Sequence, residues 1–229
     1  MKLLHYGLQR SGTNFLESLV AKKYRVKFLN SNIDGIRPDR SSPLHKHFRL
    51  YDEKDIVPEP KFRNELKISS LKDFEDLLEV IPDYYLIISK DPYSWLISYT
   101  DWARRSNWAE VSYHYILEYN LFYGKWLELS QQTKKILFVR YIDLLRDPDE
   151  ELDRLGSIMH LKKKFLYMLR SNVVPKVPQS GEFSMDRRNY YLGEQYLQGY
   201  TKESLQEINA LIDPKVITQL GYELKEKTL

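Results

Sequence analysis

The stretch Gly7-Leu8-Gln9-Arg10-Ser11-Gly12-Thr13 lies between a short apolar run, Lys2–Tyr6, and an amphipathic one, Asn14–Lys23. In the second run Phe15, Leu16, Leu19 and Val20 recur at three- and four-residue spacing, which is one face of a helix. A strand that passes through a glycine loop straight into a helix aims several backbone N–H groups, and the positive helix end, at one spot. Such a nest takes a phosphate or a similar anion. The spacing is that of a nucleotide-binding P-loop with one change. A Walker A loop carries lysine directly after the second glycine, and here Thr13 holds that place. The cation sits instead at Arg10, two residues before the glycine, where it neutralises an oxygen of the anion without magnesium.

The rest of the chain alternates strand and helix signals. Tyr24–Leu29 alternates like a second strand, residues 30–43 read as a loop, and Leu44–Leu50 reads as a third strand. Ser70 with Asp73 is a capping-box variant for a helix to about Val80. Tyr84–Ser89 is apolar at nearly every position, as a parallel strand covered on both faces should be. Pro92 opens a helix to Arg105, and a longer helix is expected over 112–131. Ile136–Tyr141 is another buried strand, Pro148 opens a helix through Ile158, and Lys162–Ser171 reads as a basic helix. Residues 172–186 read as a loop. Thr201 and Pro214 open the last two helices, and Gly221 stops the final one. The expected fold is therefore one α/β domain over 1–229, three-layered, with a central, mostly parallel sheet flanked by helices.

Two further places carry chemistry. As a strand, Leu44–Leu50 would set His45, His47 and Arg49 on one face and Lys46 on the other. Lys90 stands at the carboxyl end of a buried strand, where ligands sit in open α/β sheets. Asp91-Pro92 then starts a helix that carries Ser94 and Ser98. His5, His114 and His160 read as structural, and His45 with His47 lacks a third ligand, so no metal site is expected.

Four motifs in order resemble the family of sulfotransferases that use 3'-phosphoadenosine-5'-phosphosulfate (PAPS). They are Arg10-Ser11-Gly12-Thr13-Asn14-Phe15, Lys90-Asp91-Pro92 with Ser98, Val139-Arg140-Tyr141 with Leu144-Leu145 and Asp147-Pro148, and the ending Tyr200-Thr201 to Leu220-Gly221-Tyr222. The resemblance implies a P-loop NTPase-like sulfotransferase fold, PAPS as donor and its product PAP. It implies that Arg10 to Asn14 hold the 5'-phosphosulfate, Lys90 and Ser98 the 3'-phosphate, and Phe15 and Tyr141 the adenine. Arg187-Arg188 stands loosely where the family has a basic 3'-phosphate element, without the glycine that usually follows. The base implied is His47, with His45 second and Lys46 as helper at the transferring group. Asn14, Lys90 and Ile142 depart from the family's usual Thr or Ser, Arg and Glu. Lysine keeps the charge but loses the guanidinium fork.

Composition narrows the alternatives. The chain has 229 residues and no cysteine, which removes disulfides and thiolate chemistry, and its net charge of +3 argues against a nucleic-acid binder. There is no membrane-length apolar run and no leader-like start, so a cytoplasmic protein beginning at Met1 is expected. The acceptor expected is a glycan or other small molecule, shaped by residues 52–68 and 172–186. A magnesium-ATP phosphotransferase and a non-catalytic PAP or PAPS binder remain as other readings.

Overall fold

A computed structural model of the chain describes residues 1–31, 38–52, 55, 65–107, 113–165 and 185–226. In chain order the elements are β1 (Lys2–Tyr6), α1 (Thr13–Lys23), β2 (Lys27–Phe28), β3 (Arg49–Tyr51), β4 (Glu65–Lys67), α2 (Leu71–Glu75), β5 (Tyr84–Ser89) and α3 (Pro92–Arg105). There follow α4 (Ile116–Ser130), β6 (Ile136–Arg140), α5 (Tyr141–Arg146), α6 (Pro148–Ile158), α7 (Met185–Leu192), a 3₁₀ turn (Gln195–Gly199), α8 (Lys202–Leu211) and α9 (Pro214–Gln219).

The central sheet is parallel, in the order β2-β1-β5-β6, with Leu3 level with Tyr84 and Tyr85 level with Ile136. β3 and β4 form a separate parallel pair. Both faces of the central sheet are covered, so Leu3, Leu4 and Tyr85 to Ile88 are fully buried. On one face α1 packs on β1 and β2 and meets α6. On the other, the Tyr6 ring stacks on Trp126 of α4 at 5.1 Å, and Phe74 of α2 closes on both. This is the three-layer α/β architecture with a parallel sheet that the alternating pattern predicts. Among the described residues no helix is long and apolar enough to cross a membrane.

Helix starts follow one local device. Asp91, Asp147 and Asp213 each accept from two backbone N–H groups of the turn that follows, and each precedes a proline at the first helical position. Ser70 and Asp73 form the expected capping box, though that helix ends at Glu75 rather than near Val80.

Other expectations change as well. Only Lys27–Phe28 of the expected second strand joins the sheet, because Tyr24 bridges antiparallel to Lys163 instead. That bridge also holds Lys162 to Lys164 out of a helix; Phe165 is helical, and residues 166–171 of the expected basic helix lie outside the described residues. Another correction is Leu44–Leu50, where the strand begins only at Arg49. His45 N–H bonds the Ser42 carbonyl and Phe48 N–H bonds the His45 carbonyl, so the chain winds through successive turns. The period-two face of His45, His47 and Arg49 therefore does not form. Residues 172–184 lie outside the described residues, whereas Met185 and Asp186 begin α7 rather than end a loop.

Candidate functional site

β1, β5 and β6 run parallel, so their carboxyl ends open on one edge. Gly7, Lys90 and Tyr141 are the next residues after those ends. Packing rather than sequence proximity brings these three segments together.

The loop from β1 holds its shape by close approach. A Cβ on Gly7 would lie 2.5 Å from Ser11 Oγ and 2.7 Å from the Ile88 carbonyl. Arg10 and Gly12 both have positive φ, 72° and 103°. A Cβ on Gly12 would lie 2.6 Å from the Tyr141 ring, so the turn fits only glycine under that ring. Gly12 precedes the first residue of α1, and no side chain caps that helix end. Its first-turn N–H groups point out of the loop as a helix N-terminus does toward an anion. Trp95 Nε1 donates to the Gln9 carbonyl at 2.9 Å, anchoring the loop to α3. Arg49 donates to Gln9 Oε1 at 3.1 Å and to Glu118 Oε2 at 2.8 Å. Arg49 and Glu118 are both buried, and the Tyr99 and Tyr113 hydroxyls also donate to the carboxylate.

Beside the loop lies a concentration of cations. Lys90 is only 3% exposed. Its Nζ donates to Ser98 Oγ at 2.7 Å and to the Tyr191 hydroxyl at 3.0 Å, with the Tyr191 ring centre 4.3 Å away. The helical spacing of Lys90 and Ser98 thus closes on one atom. Burial brings the Lys90 ammonium down to about 8; Tyr191 opposes this, while the nearby Arg187 and Arg10 cations add to it. Burial pushes the Tyr191 phenol up, but Lys90 outweighs it and brings the phenol to about 8. Partial burial and then the Arg187 cation lower the Arg10 guanidinium. Among the described residues no carboxylate pairs with Lys90; after burial the Tyr191 hydroxyl acts on it most, and Arg187 and Arg10 oppose that. A buried ammonium held this way is costly unless an anion joins it.

Arg187 and Arg188 separate on α7. Arg187 reaches the Tyr141 side chain. Arg188 turns away and donates to the carbonyls of Leu145 and Arg146, at 2.7 and 2.8 Å. Phe15 is buried edge-on against Tyr141, with ring centres 5.8 Å apart. Tyr141 is buried too, and Tyr191 packs edge-on against it at 5.5 Å.

On the other side of the loop stand the histidines. His47 Nδ1 is 2.7 Å from the Gly7 carbonyl, which can only accept, so Nδ1 carries the proton and the lone pair is on Nε2. Burial holds the His47 imidazole well below its ordinary range, so it is neutral near pH 7. His45 is also lowered, to about 4, mainly by burial and then by Lys46. The two rings meet edge-on at 5.4 Å. Lys46 is buried and donates to Asn14 Oδ1, so the asparagine of the loop ties down the lysine.

Tyr191 is the site residue that sequence reasoning passes over. It is one of 18 tyrosines and belongs to no motif, and only its place on α7 sets it against Lys90. The remaining histidines sit elsewhere. His5 is buried against Asn30 at 3.0 Å, His114 Nδ1 accepts from the Ile116 N–H at the start of α4, and His160 follows α6 with φ 52°.

No protein-family profile matches the chain, and no curated protein matches it in sequence. Solved structures do resemble it. A mouse sulfotransferase, SULT7A1, complexed with PAP aligns at 12% identity over 92% of this chain and 82% of that one, with a TM-score of 0.49. The sulfotransferase domain of a Synechococcus olefin synthase aligns at 19% identity over 71% of this chain and 60% of that one, TM-score 0.43. A sulfotransferase from Alicyclobacillus acidocaldarius aligns at 12% identity over 92% and 94%, TM-score 0.38.

Proposed function

We propose that this chain is a PAPS-dependent sulfotransferase that transfers a sulfuryl group to an acceptor hydroxyl, on a glycan or another small molecule. One observation carries the reading. A buried lysine with no carboxylate partner among the described residues, Lys90, stands near two arginines beside a glycine loop whose helix end has no side-chain cap. Two separate sets of donors suit a ligand with two anionic groups, and PAPS has a 5'-phosphosulfate and a 3'-phosphate.

The loop N–H groups and Arg10 would hold the 5'-phosphosulfate, and Lys90, Ser98 and Arg187 the 3'-phosphate. Tyr141 and Phe15 flank the loop as aromatic surface for the adenine. Bound PAPS supplies an electrophilic sulfur and a phosphate leaving group. His47 Nε2 takes the acceptor's proton as the acceptor oxygen bonds to sulfur and the bond from sulfur to the phosphate oxygen breaks. The first turn of α1, Arg10 and Lys46 stabilise the charge that develops on that leaving oxygen. His45 lies one ring away from His47 and remains the alternative base.

The test is a calorimetric titration with PAP beside 5'-AMP and magnesium-ATP. Tight binding of PAP alone, lost in Arg10→Ala and Lys90→Ala, supports the reading. Binding of magnesium-ATP alone would replace it with a phosphotransferase. Transfer of label from PAPS to a glycan or phenol panel then separates an enzyme from a silent PAPS binder.

A further inference from the structure

We infer that α7 is an anion-recognition element, in which Tyr191 is a direct ligand of the nucleotide's 3'-phosphate and Arg188 is the residue that positions it. This rests on the PAPS reading above; it brings in Tyr191, which lies outside that reading's motifs, and gives Arg188 a positioning role in place of a direct phosphate contact.

Arg187 and Tyr191 are four residues apart on α7, so they share one helix face. That face meets Lys90 and Tyr141. Arg188 lies on the next face, and its guanidinium bonds the last carbonyls of α5, those of Leu145 and Arg146. Carbonyls at a helix end lack intrahelical partners, so a guanidinium that chelates two of them is a firm anchor. With Arg188 fixed there, the Arg187–Tyr191 face has one orientation, toward Lys90.

The hydrogen-bond directions show what that face is built to receive. Lys90 donates to the Tyr191 oxygen, so the phenol keeps its own hydrogen to give elsewhere. Ser98 gives its one hydrogen to the Ser94 carbonyl and accepts from Lys90, so in its bond with Tyr191 the phenol donates, and an anion beside Lys90 would take that hydrogen over. Ammonium and phenol are thus in contact as donors, and the Arg187 guanidinium lies near enough to act on both. A phosphate monoester has acceptor oxygens enough for all of them. A nucleotide with only a 3'-hydroxyl leaves the buried ammonium with its present neutral partners, and gains little from Tyr191.

The experiment measures Kd for PAP and for 5'-AMP at pH 7 by calorimetry, in the wild type, Tyr191→Phe, Arg188→Gln and Arg188→Lys, with thermal melts of each unliganded protein. Tyr191→Phe removes a single oxygen, and it should weaken PAP about tenfold while leaving 5'-AMP unchanged. Arg188→Gln should lower the same PAP-to-AMP preference without touching the ligand, and Arg188→Lys, which keeps one donor, should fall between. PAP binding by Tyr191→Phe at the wild-type Kd overturns the inference, as does an equal loss for PAP and 5'-AMP. Tyr191→Phe decides the matter even if Arg188→Gln does not fold. If the wild type binds PAP no better than 5'-AMP, the PAPS reading itself fails, an outcome distinct from a silent Tyr191→Phe.

Discussion

His47 Nδ1 donates to the Gly7 carbonyl across 2.7 Å, and Gly7 N–H donates back to the carbonyl of Lys46 at 3.1 Å. The turn that bears the histidine and the glycine loop are thereby tied together by two hydrogen bonds. A base fixed by its Nδ1 proton presents a basic Nε2 at a set distance from whatever the loop holds.

His47→Ala should cut sulfuryl transfer by about 10²–10⁴-fold, the usual worth of a positioned general base. PAP affinity should stay near wild type. Measured turnover with saturating PAPS decides the matter, and full turnover would move the base to His45 or elsewhere.

The imidazole of His47 is held well below its ordinary value by burial. Since the neutral form is the base, activity should persist on the acid side of the ordinary imidazole pKa of about 6.5. A kcat/KM profile whose acidic limb falls near 6.5 or above would contradict this assignment.

Lys90 and Tyr191 each favour the other's charged form, so the pair gives up one proton near pH 8. An anion favours the ammonium and the neutral phenol, so both protonated forms belong to the binding state. PAP affinity should be greatest below that pH and weaken about tenfold between pH 7 and pH 9 for one linked proton. Lys90→Arg keeps its charge throughout, so its affinity should fall less steeply over the same range. Calorimetric Kd values at three pH points would test both slopes.

Gly12→Ala places a Cβ 2.6 Å from the Tyr141 ring at a φ of 103°. Backbone strain of this kind costs about 1–3 kcal/mol, and displacing Tyr141 disturbs the loop as well. Urea unfolding should show the lost stability, and PAP binding should weaken with it. An unmoved midpoint would mean that the loop relaxes freely.

Breaking the buried Arg49–Glu118 pair should be among the more damaging changes. Their side chains are 3% and 4% exposed, so Glu118→Gln takes a buried charge away from the guanidinium it faces, at a cost of about 3–5 kcal/mol. Arg49 also holds Gln9, so the loop should loosen. Chemical denaturation of Glu118→Gln, Arg49→Met and the double variant measures this, and a double variant worse than the sum would refute it.

Much of the architecture is readable along the chain. The loop from Gly7 to Thr13, the buried run at Tyr84–Ser89 and the Asp-Pro helix starts are each set by a few adjacent residues, and each appears where the pattern puts it. Short-range rules failed where a distant partner competed. Leu44–Leu50 alternates as a strand does, yet Lys46 and His47 are drawn to Asn14 and Gly7, more than thirty residues earlier, and the chain turns to reach them.

By itself, then, the sequence determined the alternation of strand and helix and the glycine loop with Arg10 in it, because periodicity, capping and glycine sterics act within about one turn of chain. Tertiary structure alone decided which nitrogen of His47 holds the proton, that Arg187 and Arg188 part company, and that Tyr191 meets Lys90. Those contacts join residues 40 and 101 positions apart, or divide two neighbours on a helix. Distance along the chain says nothing of them until the parallel strands place their ends on one edge.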